Sequence, residues 1–216
     1  MTSRDKSEHG SDEQVDARID RRTLLRRFAA GAAVTGAAWT APQVVIGSTA
    51  FAAGTTPPEG EPFMYIADAK NQRIVTIDSL GTQSELPTSG LNYPRGVAVD
   101  TAGNVYIADF FNRRVVEVDS AGVQSDLATL DDLPTGITVD TAGNVFVCLP
   151  YADAVVKITP LGATSLVPTS GLDTPEDLAL DTAGNLYIAD QQNDRIVKID
   201  LGGTQSTVIS GVRHPT

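Results

Sequence analysis

The sequence predicts an all-β chain of repeated four-stranded units, and three observations predict it. The stretch PRGVAVDTAGNVYIADFFNRRVVEVD, residues 94–119, returns as PTGITVDTAGNVFVCLPYADAVVKIT from Pro134 and as PEDLALDTAGNLYIADQQNDRIVKID from Pro175. Its second half also stands earlier, as MYIADAKNQRIVTID from Met64. Asp100, Asp140 and Asp181 recur at steps of 40 and 41 residues, a spacing that marks a repeat architecture. Within each unit the apolar residues fall in short β-branched runs, and none has the 3.6-residue period of a helix. The first two runs are apolar on both faces (Val97/Ala98/Val99 and Val105/Tyr106/Ile107), so each sheet must be covered on both sides.

Taken in order, residues 1–20 are polar and mixed in charge, without apolar period, and read as disordered. Asp20-Arg21-Arg22-Thr23-Leu24-Leu25-Arg26 follows. It resembles the twin-arginine export motif through the pair Arg21 and Arg22, the apolar pair and the basic residue after it. It departs from that motif in the leading Asp and in Leu24, where Phe is common. The weakly apolar run behind it is interrupted by Gly31, Gly36 and Pro42. It falls short of the roughly 18 continuous apolar residues of a span, so a cleaved signal is expected and no permanent membrane span. Ala50-Phe51-Ala52 has the small-x-small form of a signal-peptidase site. Residues 1–52 are therefore expected to be a signal peptide, placing the protein in the cell wall, the periplasm or the extracellular space. Residues 53–62 are expected to be a Pro/Gly linker.

The repeat domain is 63–216. In the unit from Pro94, Gly96–Asp100 is a first strand and Asp100–Asn104 a tight turn, with Gly103 placed for positive φ. Val105–Ala108, Arg114–Val118 and Val123–Leu127 are the second to fourth strands. Four hairpin-linked strands per 40 residues is a propeller blade. The units run 63–93 (lacking a first strand), 94–133, 134–174 and 175–214, and Pro215-Thr216 begins another first strand.

The pattern P-x-G-[VI]-x-V-D-x-x-G-N-[VL]-[YF]-[VI]-A-D-x-x-N-x-R-[VI]-V resembles the NHL repeat. The phrase LPTSGLNYPRGVAVDTAGNVYIAD is similar to the extracellular sensor propellers of bacterial receptor serine/threonine kinases. The resemblance implies a β-propeller, commonly six-bladed, of which about four blades are in this chain. An uncovered blade face would expose about 5–8 apolar side chains, roughly 10–20 kcal/mol of burial. That exceeds the ~5–15 kcal/mol of a whole domain. Part of a six-bladed protein is the expectation, with a self-completing oligomer and a four-bladed ring as alternatives.

Composition narrows the partners. The chain carries a net charge of −11, and residues 53–216 hold 9 basic against 21 acidic residues. Such a surface repels nucleic acid, which needs clustered Lys and Arg. Cys148 is the lone cysteine and, flanked by Val147 and Leu149, reads as a small buried residue.

Whatever recurs in each blade should hold the blade together. Asp68/Asn71/Arg73, Asp109/Asn112/Arg114 and Asp190/Asn193/Arg195 share one spacing and read as a local Asp–Arg pair with an Asn turn. The third blade replaces them with Leu149, Ala152 and Ala154, and brings in Pro150 and Tyr151. Function is expected where the blades disagree: Tyr93, Arg95, Phe110, Phe111, Tyr151, Glu176 and Asp177 are the candidate contact residues. These loops share one propeller face, where exposed aromatics beside carboxylates can form a binding surface.

The resemblance also covers metal-dependent propeller enzymes, namely streptogramin lyases, peptidyl-amidoglycolate lyases and gluconolactonase-like hydrolases. With only His9 and His214, a histidine-built site is not expected. Glu176 and Asp177 are weak candidates for Ca²⁺ or Mg²⁺. A binding or scaffolding module for a protein or small-molecule ligand is therefore the first reading, without a required cofactor. A divalent-metal lyase or lactonase is the alternative.

Overall fold

A computed structural model of the chain describes residues 44–46 and 62–216. Arg21, Arg22, His9 and the expected cleavage site lie outside the described residues. The described strands form four antiparallel four-stranded sheets. Blade 1 contains β1 (Val44–Ile46), β2 (Pro62–Asp68), β3 (Arg73–Asp78) and β4 (Gln83–Glu85). Blade 2 contains β5 (Pro94–Val99), β6 (Val105–Asp109), β7 (Arg114–Val118) and β8 (Gln124–Thr129). Blade 3 has β9 (Ile137–Val139), β10 (Val145–Leu149), β11 (Ala154–Ile158) and β12 (Thr164–Leu166). Blade 4 has β13 (Pro175–Leu180), β14 (Leu186–Asp190), β15 (Arg195–Ile199) and β16 (Gln205–Ser210). Among the described residues no helix is long and apolar enough to cross a membrane.

One expectation is corrected. The first unit does not lack its first strand: Val44–Ile46 pairs with β2 in the register Val44↔Ile66, Val45↔Tyr65, Ile46↔Met64. The strand comes from inside the segment assigned to the export signal. Repeat matching misses it because VVI is not closed by the aspartate that ends the other first strands, Asp100, Asp140 and Asp181.

Period-2 alternation explains the stacking. Val97, Val99, Val105, Ile107, Val116 and Val118 face blade 1 and pack with Tyr65, Ala67 and Ile74. The intervening Ala98, Tyr106, Ala108, Val115 and Ala128 face blade 3 and pack with Ile137, Val145, Val147 and Ile158. Each such side chain contributes about 1.5–3 kcal/mol of burial, so blades are held by their neighbours more than by their own hairpins. In blade 4, Leu178, Leu186, Ile188, Val197 and Ile199 bury against blade 3. The opposite face of blade 4 repeats the blade-2 pattern as Ala179, Tyr187, Ile196 and Ile209, yet Ala179 is exposed and Ile209 is 50% exposed.

The turn after each first strand works as expected. Asp100 Oδ1 accepts the Ala102 and Asn104 amides at 2.9 Å each, and Gly103 takes φ +88°. Asp140 and Asp181 repeat the arrangement. The phenol of Tyr106 adds a bond to Asp100 Oδ2 at 3.1 Å, matched by Tyr187 on Asp181 at 3.2 Å.

The Asp-Asn-Arg triad does more than pair locally. Asp109 is fully buried. Its Oδ1 accepts the Asn92 amide at 2.6 Å, and its Oδ2 accepts Asn112 Nδ2 at 2.8 Å and Arg114 Nε at 2.7 Å. Asn112 and Arg114 also donate to the Gly90 carbonyl at 2.7 and 2.8 Å. Gln124 brackets Ser89, accepting from its amide and donating to its carbonyl at 2.8 and 2.9 Å. The triad is thus a clamp on the Ser-Gly linker that arrives from the previous blade. Blade 4 holds Ser170 and Gly171 in the same way through Asp190, Asn193, Arg195 and Gln205. Blade 3 has no Ser-Gly linker to hold, because LDDLP precedes it where PTSGL precedes blades 2 and 4. Between blades 2 and 4 on one side and blade 3 on the other, clamp and linker are present or absent together.

Candidate functional site

Tyr93 precedes Pro94 and sits in the left-handed region at φ +60°, which turns the linker sharply into β5. A single turn of 3-10 helix, Phe110–Asn112, follows β6 and is closed by Arg113 at φ +50°. The Phe111 amide donates to the Asn92 carbonyl at 3.1 Å, bringing the two loops together. The rings follow the backbone. Tyr93 lies 5.4 Å from Phe111 and 6.2 Å from Phe110, and Phe110 meets Phe111 edge-on at 4.9 Å. Phe110 is buried, whereas Phe111 is 55% exposed. Such ring pairs contribute about 0.5–1.5 kcal/mol beyond their burial.

Arg95 extends the cluster. Its guanidinium carbon stands 4.9 Å over the Phe110 ring, and its Nη1 is 3.6 Å from Glu176 Oε2 of blade 4. The ion pair therefore links blades 2 and 4 across the start of blade 3. Half-open and long, it contributes at most about 1 kcal/mol. The close approach of blade 4 depends on Gly136. A Cβ there would meet the Asp177 Cα at 2.6 Å and the Glu176 carbonyl at 2.8 Å. The Gly136 amide and the Thr135 hydroxyl both donate to that carbonyl, at 3.0 and 2.9 Å.

The electrostatics follow from burial. Burial raises the Glu176 carboxyl above its ordinary range, and the Arg95 guanidinium pulls the other way. Cys148, fully buried beneath this point, has its thiol pushed well up by burial and by the nearby Asp177 and Glu176 carboxylates. It is held as a neutral thiol and is no nucleophile.

Of the seven candidates, the structure joins Tyr93, Arg95, Phe110, Phe111 and Glu176, with Asp177 adjoining through the Gly136 contact. Tyr151 is not brought in: it lies in the blade-3 loop at 73% exposure, apart from the ring cluster. Thr135, Gly136 and Cys148 complete the site. The only sequence trace of Gly136's role is that Asp177 replaces the corresponding glycine in the next unit. The Glu176/Asp177 pair does not suit a divalent cation. Glu176 already faces Arg95, and Asp177 Oδ1 accepts the Leu178 amide at 2.8 Å. Among the described residues no three His, Cys, Asp or Glu side chains converge, and Ca²⁺ takes six to eight oxygens. What the groups present offer is recognition: an open aromatic face beside a neutralised guanidinium.

The profile of the NHL repeat matches residues 91–116, and that of the strictosidine synthase-like N-terminal family matches 159–199. No curated protein matches the chain. Among solved structures, a streptogramin B lyase superposes with a TM-score of 0.62 at 17% identity, over 84% of this chain and 64% of its own. Virginiamycin B lyase from Staphylococcus aureus superposes with a TM-score of 0.59 at 21% identity, covering 71% and 53%. A chain of the nidogen/laminin complex gives 0.51 at 18%, covering 70% and 75%. The chain thus spans between about half and two thirds of the length of the lyases it matches. Together with the four stacked sheets, these likenesses show the fold to be that of an NHL-type β-propeller.

Proposed function

We propose that this protein is an exported binding or scaffolding module, acting outside the cytoplasmic membrane. Its contact surface is Phe111 and Tyr93, backed by the buried Phe110, with Arg95 and Glu176 at the edge. One observation carries the reading: the residues at which the repeats disagree gather into one partly open aromatic cluster, while those on which they agree hold turns and linkers. The fold is compatible with either class of partner, since one similar structure is a nidogen/laminin complex and another is a streptogramin lyase. The arginine pair before an A-x-A site supports export.

The test is capture of partners from the extracellular or periplasmic fraction by the immobilised full chain, quantified for wild type, Phe111→Ala and Tyr93→Asn. Asn tolerates the left-handed backbone at position 93. At least a tenfold loss of captured material, with the thermal midpoint of Phe111→Ala unchanged, is expected; equal capture overturns the contact surface. Export is tested separately by Arg21→Lys/Arg22→Lys, which should leave the protein in the cytoplasm. Tight Ca²⁺ or Mg²⁺ binding by calorimetry would instead favour the metal-dependent lyase or lactonase.

A further inference from the structure

The exposed rings of blades 2 and 3 are set among carboxylates. Phe111 is 55% and Tyr151 73% exposed, on the single turns Phe110–Asn112 and Pro150–Ala152 that follow the second strands. After β8 the chain returns to the first of these turns. The Leu130 amide donates to the Arg113 carbonyl at 2.8 Å, and Arg113 Nη1 donates to the Asp131 carbonyl at 3.3 Å. Those two contacts fix Asp131 and Asp132 beside the Phe111 turn. The turn that carries Tyr151 is tied to the linker into blade 4, where Asp153 Oδ1 accepts the Thr174 amide at 2.8 Å. Asp173 is thereby held next to the Asp153 turn, and the same linker leads on to Glu176 and its contact with Arg95.

The sign of the charge around the rings is one-sided. Segments 110–113, 131–135, 150–153 and 173–177 hold six carboxylates, Asp131, Asp132, Asp153, Asp173, Glu176 and Asp177, and one cation, Arg113. Glu176 is matched by Arg95 at 3.6 Å, which leaves five carboxylates to one guanidinium. Asp131, Asp153 and Asp173 are exposed. An aromatic face is the negative part of its quadrupole, so rings and carboxylates here attract the same sign of charge. The site already holds one such contact, with the Arg95 guanidinium carbon 4.9 Å over the Phe110 ring.

Taking the Phe111 and Tyr93 surface as the contact site, we propose that its partner is a basic peptide segment of another protein. Lys or Arg side chains of that segment stand over the Phe111 and Tyr151 rings, with their charges against Asp131 and Asp132 on one side and Asp153 and Asp173 on the other. A cation over a ring gains most where the charge is partly desolvated, and the flanking carboxylates supply the counter-charge. Two exposed rings on neighbouring blades, each with its own carboxylates, call for a segment that carries more than one cation. The same field turns away acidic segments.

Fluorescence anisotropy with the full chain tests this, using a labelled hexapeptide of alternating Arg and Trp and a counterpart of alternating Glu and Trp. Saturable binding of the Arg peptide is expected, at least tenfold tighter than the Glu peptide and weakening as salt rises from about 0.05 to about 0.5 M. Asp131→Asn/Asp132→Asn keeps the side-chain oxygen that accepts the Leu133 amide and should weaken the Arg peptide at least threefold. Glu85→Gln/Asp126→Asn removes the same two charges from β4 and β8 and should leave its binding unchanged. Phe111→Ala should weaken it at least threefold. No binding of the Arg peptide, equal binding of both peptides, or equal loss in the two carboxylate pairs overturns the inference. If Phe111→Ala weakens both peptides while Asp131→Asn/Asp132→Asn is neutral, the contact surface stands and its basic partner does not. If Phe111→Ala changes neither, the contact surface falls and the basic partner with it.

Discussion

Blades 2 and 3 are neighbours built on the same repeat, yet they solve the same problem in opposite ways. Each must receive a linker from the previous blade and turn it into a first strand. Blade 2 does so with a buried carboxylate that collects an amide, a carboxamide and a guanidinium, the last two also reaching the linker carbonyl. Blade 3 does so with a shorter linker and apolar Leu149, buried where the carboxylate would be. A buried ionic clamp is tolerable only while each of its members is satisfied. Blade 3, which has no Ser-Gly linker, also has none of the triad, so no half-satisfied charge is left.

That contrast breaks most sharply at Asp109. Asp109→Ala should destabilise by about 3–5 kcal/mol, since it removes the buried acceptor of three hydrogen bonds and leaves Arg114 only the exposed Asp126 as a carboxylate partner. The whole triad grafted onto blade 3 (Leu149→Asp with Ala152→Asn and Ala154→Arg) should not stabilise, because no Ser-Gly carbonyl reaches it. Chemical denaturation of both variants measures the difference. A mild Asp109→Ala would mean the linker is held by its own turns.

The second contrast is between first strands. Blade 3 admits the backbone of blade 4 at Gly136, and blade 4 carries Asp177 in the corresponding place. Gly136→Ala puts a methyl group into the Asp177 Cα and the Glu176 carbonyl, and overpacking of this kind costs about 1–3 kcal/mol. It should also move Glu176 away from Arg95, so partner capture should weaken along with the thermal midpoint. A variant that loses stability but keeps full capture would separate the Gly136 contact from the recognition surface.

Much of this was legible because repetition turns one sequence into its own alignment. The blades, the Asp100-type turns and the buried Cys148 follow from motifs that occur three or four times. The gathering of Tyr93 with Phe110 and Phe111 also follows, since both loops lie at one end of the same sheet. Three features were not legible, each because it depends on a single event. β1 has no repeat signature. The clamp's second role needs the Gly90 carbonyl, which is anonymous in a sequence. Tyr151 looks like Phe111 by position, but the shorter linker into blade 3 brings no aromatic residue to meet it.

The finest contrast is between two carboxylates of opposite behaviour, Asp68 in blade 1 and Glu176 in blade 4. The Asn71 amide, helped by Arg73, holds Asp68 below its ordinary 3.8, and burial raises Glu176 above its ordinary 4.5. Asp68 therefore stabilises the fold at pH above about 3.8, and that contribution is lost as pH falls through its lowered value. For Glu176 the sign reverses: the benefit of folding it protonated is complete below about 4.5 and is lost as pH rises through its raised value. Glu176→Gln removes that titration while keeping the size of the side chain. Measured from pH 4 upward, the stability of the variant relative to wild type should rise as Glu176 ionises in the wild type, then level off. The effect should be smaller than either substitution above, because Arg95 recovers part of the cost. A flat difference would mean that Arg95 compensates burial in full, and that blades 2 and 4 are joined by a stronger pair than a 3.6 Å separation implies.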